Sequence, residues 1–230
     1  MRGEPTLEGV RACVFDAYGT LFDVASAAAG CRDALGDRAT ALAALWRDKQ
    51  LQYTWLRTVQ QRHADFWQVT GEALDFALET LSLAQPGLRE RLMSLYATLA
   101  PYPDVPGALR RLQTAGVRMA ILSNGSPAML DAAVASAGLG GLFDVVLSVE
   151  AVGVYKPHAA VYQLAVDRLR VPAGAIAFCS SNGWDAWAAS AFGMQVVWCN
   201  RGGSSDERLP GAPERRVRSL AELPALLGIA

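Results

Sequence analysis

Two carboxylates, one lysine and a set of hydroxyls and amides stand in four short polar clusters, each following an apolar run. Asp16 opens DAYGT, with Ala17, Tyr18 and Thr20 in the same segment; Ser123 and Asn124 lie in LSNGSP; Lys156 lies in VYKPH; Ser180, Asn182, Trp184 and Asp185 lie in SSNGWD. In an open parallel sheet, ligands bind outside the carboxyl ends of the strands, so the four clusters would converge on one crevice. Singly, each has a plainer reading. A strand-ending Asp is often a cap, Ser-Asn-Gly is often a turn, a lone Lys is usually solvated, and Asp185 suits a helix N-cap. Four of them at strand ends in one sheet make a shared site the better reading. The chemistry open to it is that of a carboxylate. Asp has a reference pKa of about 3.9, so at neutral pH it needs orientation more than deprotonation to act as a nucleophile.

The elements that must position these groups alternate. β-rich runs at Val10 to Ala17, Val117 to Ser123, Val145 to Val149, Ala175 to Ser180 and Gln195 to Cys199 are separated by helix-forming stretches. Those stretches are Val105 to Ala115, Pro127 to Ala137, Ala159 to Arg168 and Asp185 to Phe192, and Leu220 to Leu227 reads as a closing helix. Pro106 and Pro127 fit first-turn positions, and Gly116 and Gly138 fit helix ends. This pattern predicts an α/β fold with a parallel sheet covered by helices. From about Ala25 to Leu99 it breaks: no strand is legible, only helix-forming sequence carrying Trp46, Trp55, Phe66, Trp67 and Phe76. An all-helical insertion is expected there, dividing the chain into a core of residues 1–22 and 99–230 and a cap of residues 23–98. Gly202 to Pro213 reads as a loop.

Composition removes several functions. The 230 residues carry 21 basic and 22 acidic side chains, a net charge of -1, so no strong field draws nucleic acid or an anionic membrane. No signal-peptide pattern opens the chain and no apolar run is long enough to span a bilayer, so a cytoplasmic protein is expected. Cys13, Cys31, Cys179 and Cys199 form no CxxC pair and read as small apolar side chains rather than ligands or disulfides. His63 and His158 have no Ser or Cys partner in a hydrolase motif, so a Ser-His-Asp triad is not expected, and packing is the reading for both. No acidic cluster points to magnesium.

The four clusters together resemble the haloacid dehalogenase superfamily, and their variants resemble its L-2-haloacid dehalogenase branch, over nearly the whole chain. Phosphatases of the superfamily typically carry DxDGT, in which the second Asp protonates the leaving oxygen and offers its carbonyl to magnesium. Here that place holds Tyr18. A halide leaves as a stable anion and needs no proton. The segment LWRDKQLQYTWLR is similar to the cap of that branch and places Arg47 at the family's halide-binding arginine; SSNGWD matches the dehalogenase form of the fourth cluster.

The resemblance implies hydrolysis of short L-2-haloalkanoic acids to D-2-hydroxyalkanoic acids without a cofactor, through an ester on Asp16. Lys156 would hold the Asp16 carboxylate, with Thr20 and Ser180 fixing its rotamer. Asp185, near Asn182 and Lys156, would orient or deprotonate water. Ser123 and Asn124 would bind the substrate carboxylate. Tyr162 and Phe66 match positions near halide or substrate, Trp184 would wall the alkyl group, and Tyr18 would pack beside the nucleophile; ordinary packing is open for each. The aromatic-rich cap predicts a homodimer. A phosphatase of the same superfamily and a non-catalytic binding protein on the same fold stand as alternatives.

Overall fold

A computed structural model describes residues 7–83 and 85–229. The opening residues of the expected core segment, where a signal peptide would stand, therefore lie outside the described residues. Six strands form one parallel sheet: β1 (Ala12–Phe15), β2 (Arg118–Ser123), β3 (Val145–Ser148), β4 (Ile176–Ser180), β5 (Gln195–Cys199) and β6 (Arg215–Val217), in the order β3-β2-β1-β4-β5-β6. Helices cover both faces, which is why the central strands read as continuous apolar runs; Ala12 to Phe15 are fully buried. The sheet helices are α6 (Val105–Thr114), α7 (Pro127–Ser136), α8 (Ala159–Leu169), α9 (Gly183–Phe192) and α10 (Leu223–Leu226). Before them come α1 (Ser26–Ala29), α2 (Arg32–Leu35), α3 (Ala39–Gln60), α4 (Phe66–Thr80) and α5 (Leu88–Ala97).

Register explains why the clusters meet. Phe15 is level with Ile121 on one side and Cys179 on the other. Asp16 and Ser180, which follow directly, and Ser123, one residue further along its strand, thus emerge together where the strand order reverses, the expected crevice of such a sheet.

Three boundaries differ from the sequence expectation. β1 is shorter than Val10 to Ala17 because the Ala17 carbonyl accepts the N–H groups of Thr20, Leu21 and Phe22, folding the chain into a tight turn. β6, just past the expected loop, is assigned to no element in the sequence reading: it is three residues long, two of them exposed arginines, and short charged edge strands carry no apolar alternation. The closing helix is a 3-10 turn at Leu220–Glu222 followed by α10, with Ser219 and Glu222 capping its start reciprocally.

Among the described residues, no strand interrupts Ser26 to Ala97. α3 spans 22 residues, about 33 Å at 1.5 Å per residue. Its buried stripe is Ala39, Leu42, Trp46, Gln50 and Thr54, at helical spacing, and it faces α4, where the Trp46 indole donates to the Thr70 carbonyl at 2.8 Å. This helical layer meets the carboxyl edge of the sheet through several contacts. Trp55 lies edge-on to Trp184 at 5.5 Å, His63 pairs with Glu150 at 2.9 Å, and the Tyr155 hydroxyl donates to the Ala64 carbonyl. His158 caps α8 by accepting from the Ala160 N–H. All four cysteines are free and buried. No helix among the described residues is long and apolar enough to cross a membrane.

Candidate active site

Lys156 joins the two carboxylates. Its Nζ lies 3.1 Å from Asp16 Oδ1 and 2.9 Å from Asp185 Oδ2, and its side chain is 1% exposed. Asp16 Oδ2 accepts from Thr20 Oγ1 at 2.9 Å and Asn182 Nδ2 at 2.7 Å. Its two lone pairs are therefore filled, whereas among the described residues Oδ1 accepts from Lys156 alone. The oxygen with a free lone pair is Oδ1.

Asp185 is enclosed differently. Oδ1 accepts from the Tyr162 hydroxyl at 2.8 Å, and Oδ2 accepts from Lys156 and from Ser180 Oγ at 3.1 Å. Complete burial raises its pKa, and the Lys156 ammonium only partly opposes this. Burial likewise disfavours the Lys156 charge, but Asp16 and Asp185 together outweigh that and raise the lysine. A raised carboxylate is a better proton acceptor than an exposed one. A step that needs ionised Asp185 should accordingly lose rate on the acid side above the ordinary carboxylate range of about 3.9–4.3. The pH profile of ester breakdown in single turnovers tests this; an acid limb at or below that range would count against the role.

Two expectations are corrected by these bonds. Ser180 holds Asp185, not the Asp16 rotamer, because its Oγ lies in reach of Asp185 Oδ2. Asp185 is not an N-cap: Asn182 occupies that position, and the Asp185 carboxylate turns inward to the lysine. The Tyr162 hydroxyl donates to Asp185 at 2.8 Å, a partner the sequence did not reveal.

Arg47 reaches the site from α3. Nη2 lies 3.3 Å from the Tyr18 carbonyl and 3.3 Å from Asn182 Oδ1, and Nη1 donates to Gln50 Oε1 at 2.7 Å. Asn182 therefore links the guanidinium to Asp16, accepting from one and donating to the other. The Tyr18 carbonyl, the position from which the phosphatase pattern offers an oxygen to magnesium, accepts from Arg47 and Asn182. A cation there would displace both donors and meet the Lys156 ammonium on Asp16, so the donor set does not fit magnesium.

Ser123 is buried and accepts from the Gly125 N–H. Asn124 Oδ1 accepts from the Lys156 N–H at 3.0 Å, which leaves the donor end of that amide for an anion. The Tyr18 ring is buried against Phe66 at 5.6 Å and stacked on Tyr96 at 5.6 Å. A Cβ on Gly125 would fall 2.7 Å from Tyr18 Cε2, so only glycine lets the ring lie on this backbone. Ala17 contributes its carbonyl to the turn below. Trp184 lines an apolar groove with Trp55, Pro157, Tyr162 and Leu209.

A family model described as haloacid dehalogenase-like hydrolase matches residues 10–193. The chain is 46% identical over 222 residues to (S)-2-haloacid dehalogenase 4A of Burkholderia cepacia, covering 96% of each. It is 45% identical to (S)-2-haloacid dehalogenase 1 of Pseudomonas sp. (strain CBS-3), covering 96% of this chain and 98% of that one. The chain belongs to the L-2-haloacid dehalogenase branch of this family. Among solved structures, the L-2-haloacid dehalogenase of Xanthobacter autotrophicus with chloropropionic acid covalently bound superposes with a TM-score of 0.88. That match has 40% identity and covers 96% of this chain and all of the other.

Within this dehalogenase framework, Gln50, Tyr96 and Gly125 went unread in the sequence. Gln50 had a signal: an amide in the buried stripe of α3, one turn beyond Arg47. Tyr96 and Gly125 had none, since each matters through contacts made only in the fold, with Tyr18 for both and also with Gln50 for Tyr96.

Proposed function

We propose that the protein hydrolyses short L-2-haloalkanoic acids to D-2-hydroxyalkanoic acids and halide. The observation that carries this is an Asp16 carboxylate whose Oδ1 has an open lone pair while its Oδ2 is linked through Asn182, by two hydrogen bonds, to the Arg47 guanidinium. Asp16 Oδ1 attacks C2, the carbon–halogen bond breaks with inversion, and the halide leaves toward Arg47 as charge develops on it. Ser123, Asn124 and the N–H groups opening α7 hold the substrate carboxylate. Water then attacks Asp16 Cγ. Asp185, oriented by Tyr162, Ser180 and Lys156, takes its proton, the acyl–oxygen bond breaks so that the carbon keeps its new configuration, and that proton goes on to the departing alkoxide oxygen. Thr20 and Asn182 keep Asp16 in place, and Phe66, Tyr18 and Trp184 surround the alkyl group.

In this reading residues 23–98 act as a cap that carries Arg47 over a core of residues 1–22 and 99–230. In-line displacement requires the nucleophile and the halide pocket to face each other, which is the physical purpose of the inserted helices. The test is halide release from both enantiomers of 2-chloropropionate with EDTA present. Release from the L form alone, giving D-lactate at an undiminished rate, is expected. Loss of turnover restored by magnesium would favour the phosphatase alternative.

The same reading includes a homodimer and a cytoplasmic location. Trp55, Leu56, Val59, Trp67 and Phe76 stay at least one-third exposed on α3 and α4, with Val59 at 82%. Light scattering at micromolar concentration should give twice the chain mass; a monomer overturns the dimer.

A further inference from the structure

Gln50 is 1% exposed and touches no atom of the reacting carboxylates. Its amide nevertheless has only one workable orientation. The Thr70 hydroxyl donates to the Phe66 carbonyl at 2.6 Å, so toward Gln50 its oxygen can only accept. Gln50 Nε2 supplies that proton at 2.7 Å and lies 3.0 Å from the Tyr96 hydroxyl. Oε1 is thereby turned to Arg47 Nη1. Flipping the amide would face N–H against guanidinium N–H at one end and oxygen against an oxygen with no proton to give at the other. The relay thus has a fixed direction, from Arg47 through Gln50 and Thr70 to the backbone of α4.

The three acceptors on Arg47, namely Gln50 Oε1, the Tyr18 carbonyl and Asn182 Oδ1, are all neutral. Among the described residues no carboxylate pairs with it. The guanidinium is held from three sides while its charge stays uncompensated, which suits a group that must meet an anion formed in the transition state. A carboxylate at position 50 would cancel the charge, and its second oxygen would face the Thr70 oxygen that has no proton to give.

We propose that Gln50 is a positioning residue that fixes the rotamer of Arg47 and keeps its charge available, and so sets the tolerance for poorer leaving groups. The inference rests on Arg47 being the halide site. A poorer leaving group depends more on stabilisation of the departing anion, so loss of this support should hurt chloride more than bromide.

The test compares kcat/KM for 2-bromo- and 2-chloropropionate, which reports the alkylation step, in wild type, Gln50→Glu, Thr70→Val and Arg47→Ala. Gln50→Glu should lose roughly tenfold or more on the chloro substrate, the scale of one charge-assisted hydrogen bond. Its bromide-to-chloride ratio should rise several-fold, and inhibition by added chloride should weaken. Thr70→Val, which only frees the amide to turn, should move the ratio the same way by less. It carries the test if Gln50→Glu does not fold. Single-turnover ester breakdown should be unchanged in both. A lowered Tm with an unchanged ratio in the folded variants would make Gln50 merely structural and overturn the proposal. Arg47→Ala, expected to lose about 100-fold or more, separates the two levels. A ratio unmoved in Arg47→Ala sinks the halide site itself. A ratio moved there but not in the Gln50 and Thr70 variants sinks only the positioning role.

Discussion

Asp16→Asn is expected to abolish turnover while leaving the fold intact, because an amide of the same shape is a far poorer nucleophile than a carboxylate. The variant also turns an acceptor into a donor opposite either Lys156 or the Thr20 and Asn182 pair, so its amide faces at least one N–H or O–H donor in each orientation. The wild-type enzyme offers the sharper measurement. If Asp16 Oδ1 forms the bond to C2 and water attacks Cγ, the product hydroxyl carries an aspartate oxygen. One turnover in heavy-oxygen water, with enzyme in excess, should yield unlabelled 2-hydroxy acid and a labelled Asp16 peptide. Label should enter product only in later turnovers. Asp185→Asn should slow ester breakdown and let the alkylated enzyme accumulate, visible by mass spectrometry. Label in product from the first turnover would mean direct attack by water on C2, and Asp16 would then be no nucleophile.

Lys156→Met is expected to damage both stability and rate. The ammonium is the shared partner of two carboxylates whose side chains are 7% and 0% exposed. Removing one member of such a buried cluster leaves uncompensated charge, at a typical cost of about 3–5 kcal/mol. The urea midpoint should fall accordingly at neutral pH. In the variant, Asp185, already raised by burial, loses the ammonium that opposes this, so its folded-state pKa lies further above its unfolded value. The deficit is therefore present at high pH and shrinks on acidification as Asp185 takes up a proton, above the ordinary aspartate value of about 3.9. A midpoint deficit that does not shrink on acidification would show that the cost is packing rather than charge. Turnover should fall by at least about 100-fold, since Asp16 loses the donor on its attacking oxygen. In the wild type the sign is opposite. The raised Lys156 contributes stability below its unfolded pKa of about 10.4, and that contribution is lost as pH rises through the folded value.

Much of this site could be read from the chain alone, because it depends on residue type and on where apolar runs stop. Asp16, Ser123 and Ser180 each close or follow a run that could only be a buried parallel strand, and register then brings such ends together. Tyr18 in place of a second acid determined which chemistry the carboxylate would serve. The helical interval was legible because no β-rich run occurs between Ala25 and Leu99. Partner choice was not legible. Whether Ser180 turns to Asp16 or Asp185 is a matter of rotamers within one crowded crevice, and both oxygens were plausible acceptors until the structure placed them. Tyr162 meets Asp185 only because α8 and α9 lie side by side, and Lys156 meets Asp16 across 140 residues of chain. Gln50 fixes Arg47 through Thr70 on another helix, a relay whose direction follows from which hydroxyl has already given its proton away. Sequence periodicity reports which face of an element is buried. Hydrogen-bond direction inside that face is decided by neighbours from distant segments, and only the folded chain brings them within reach.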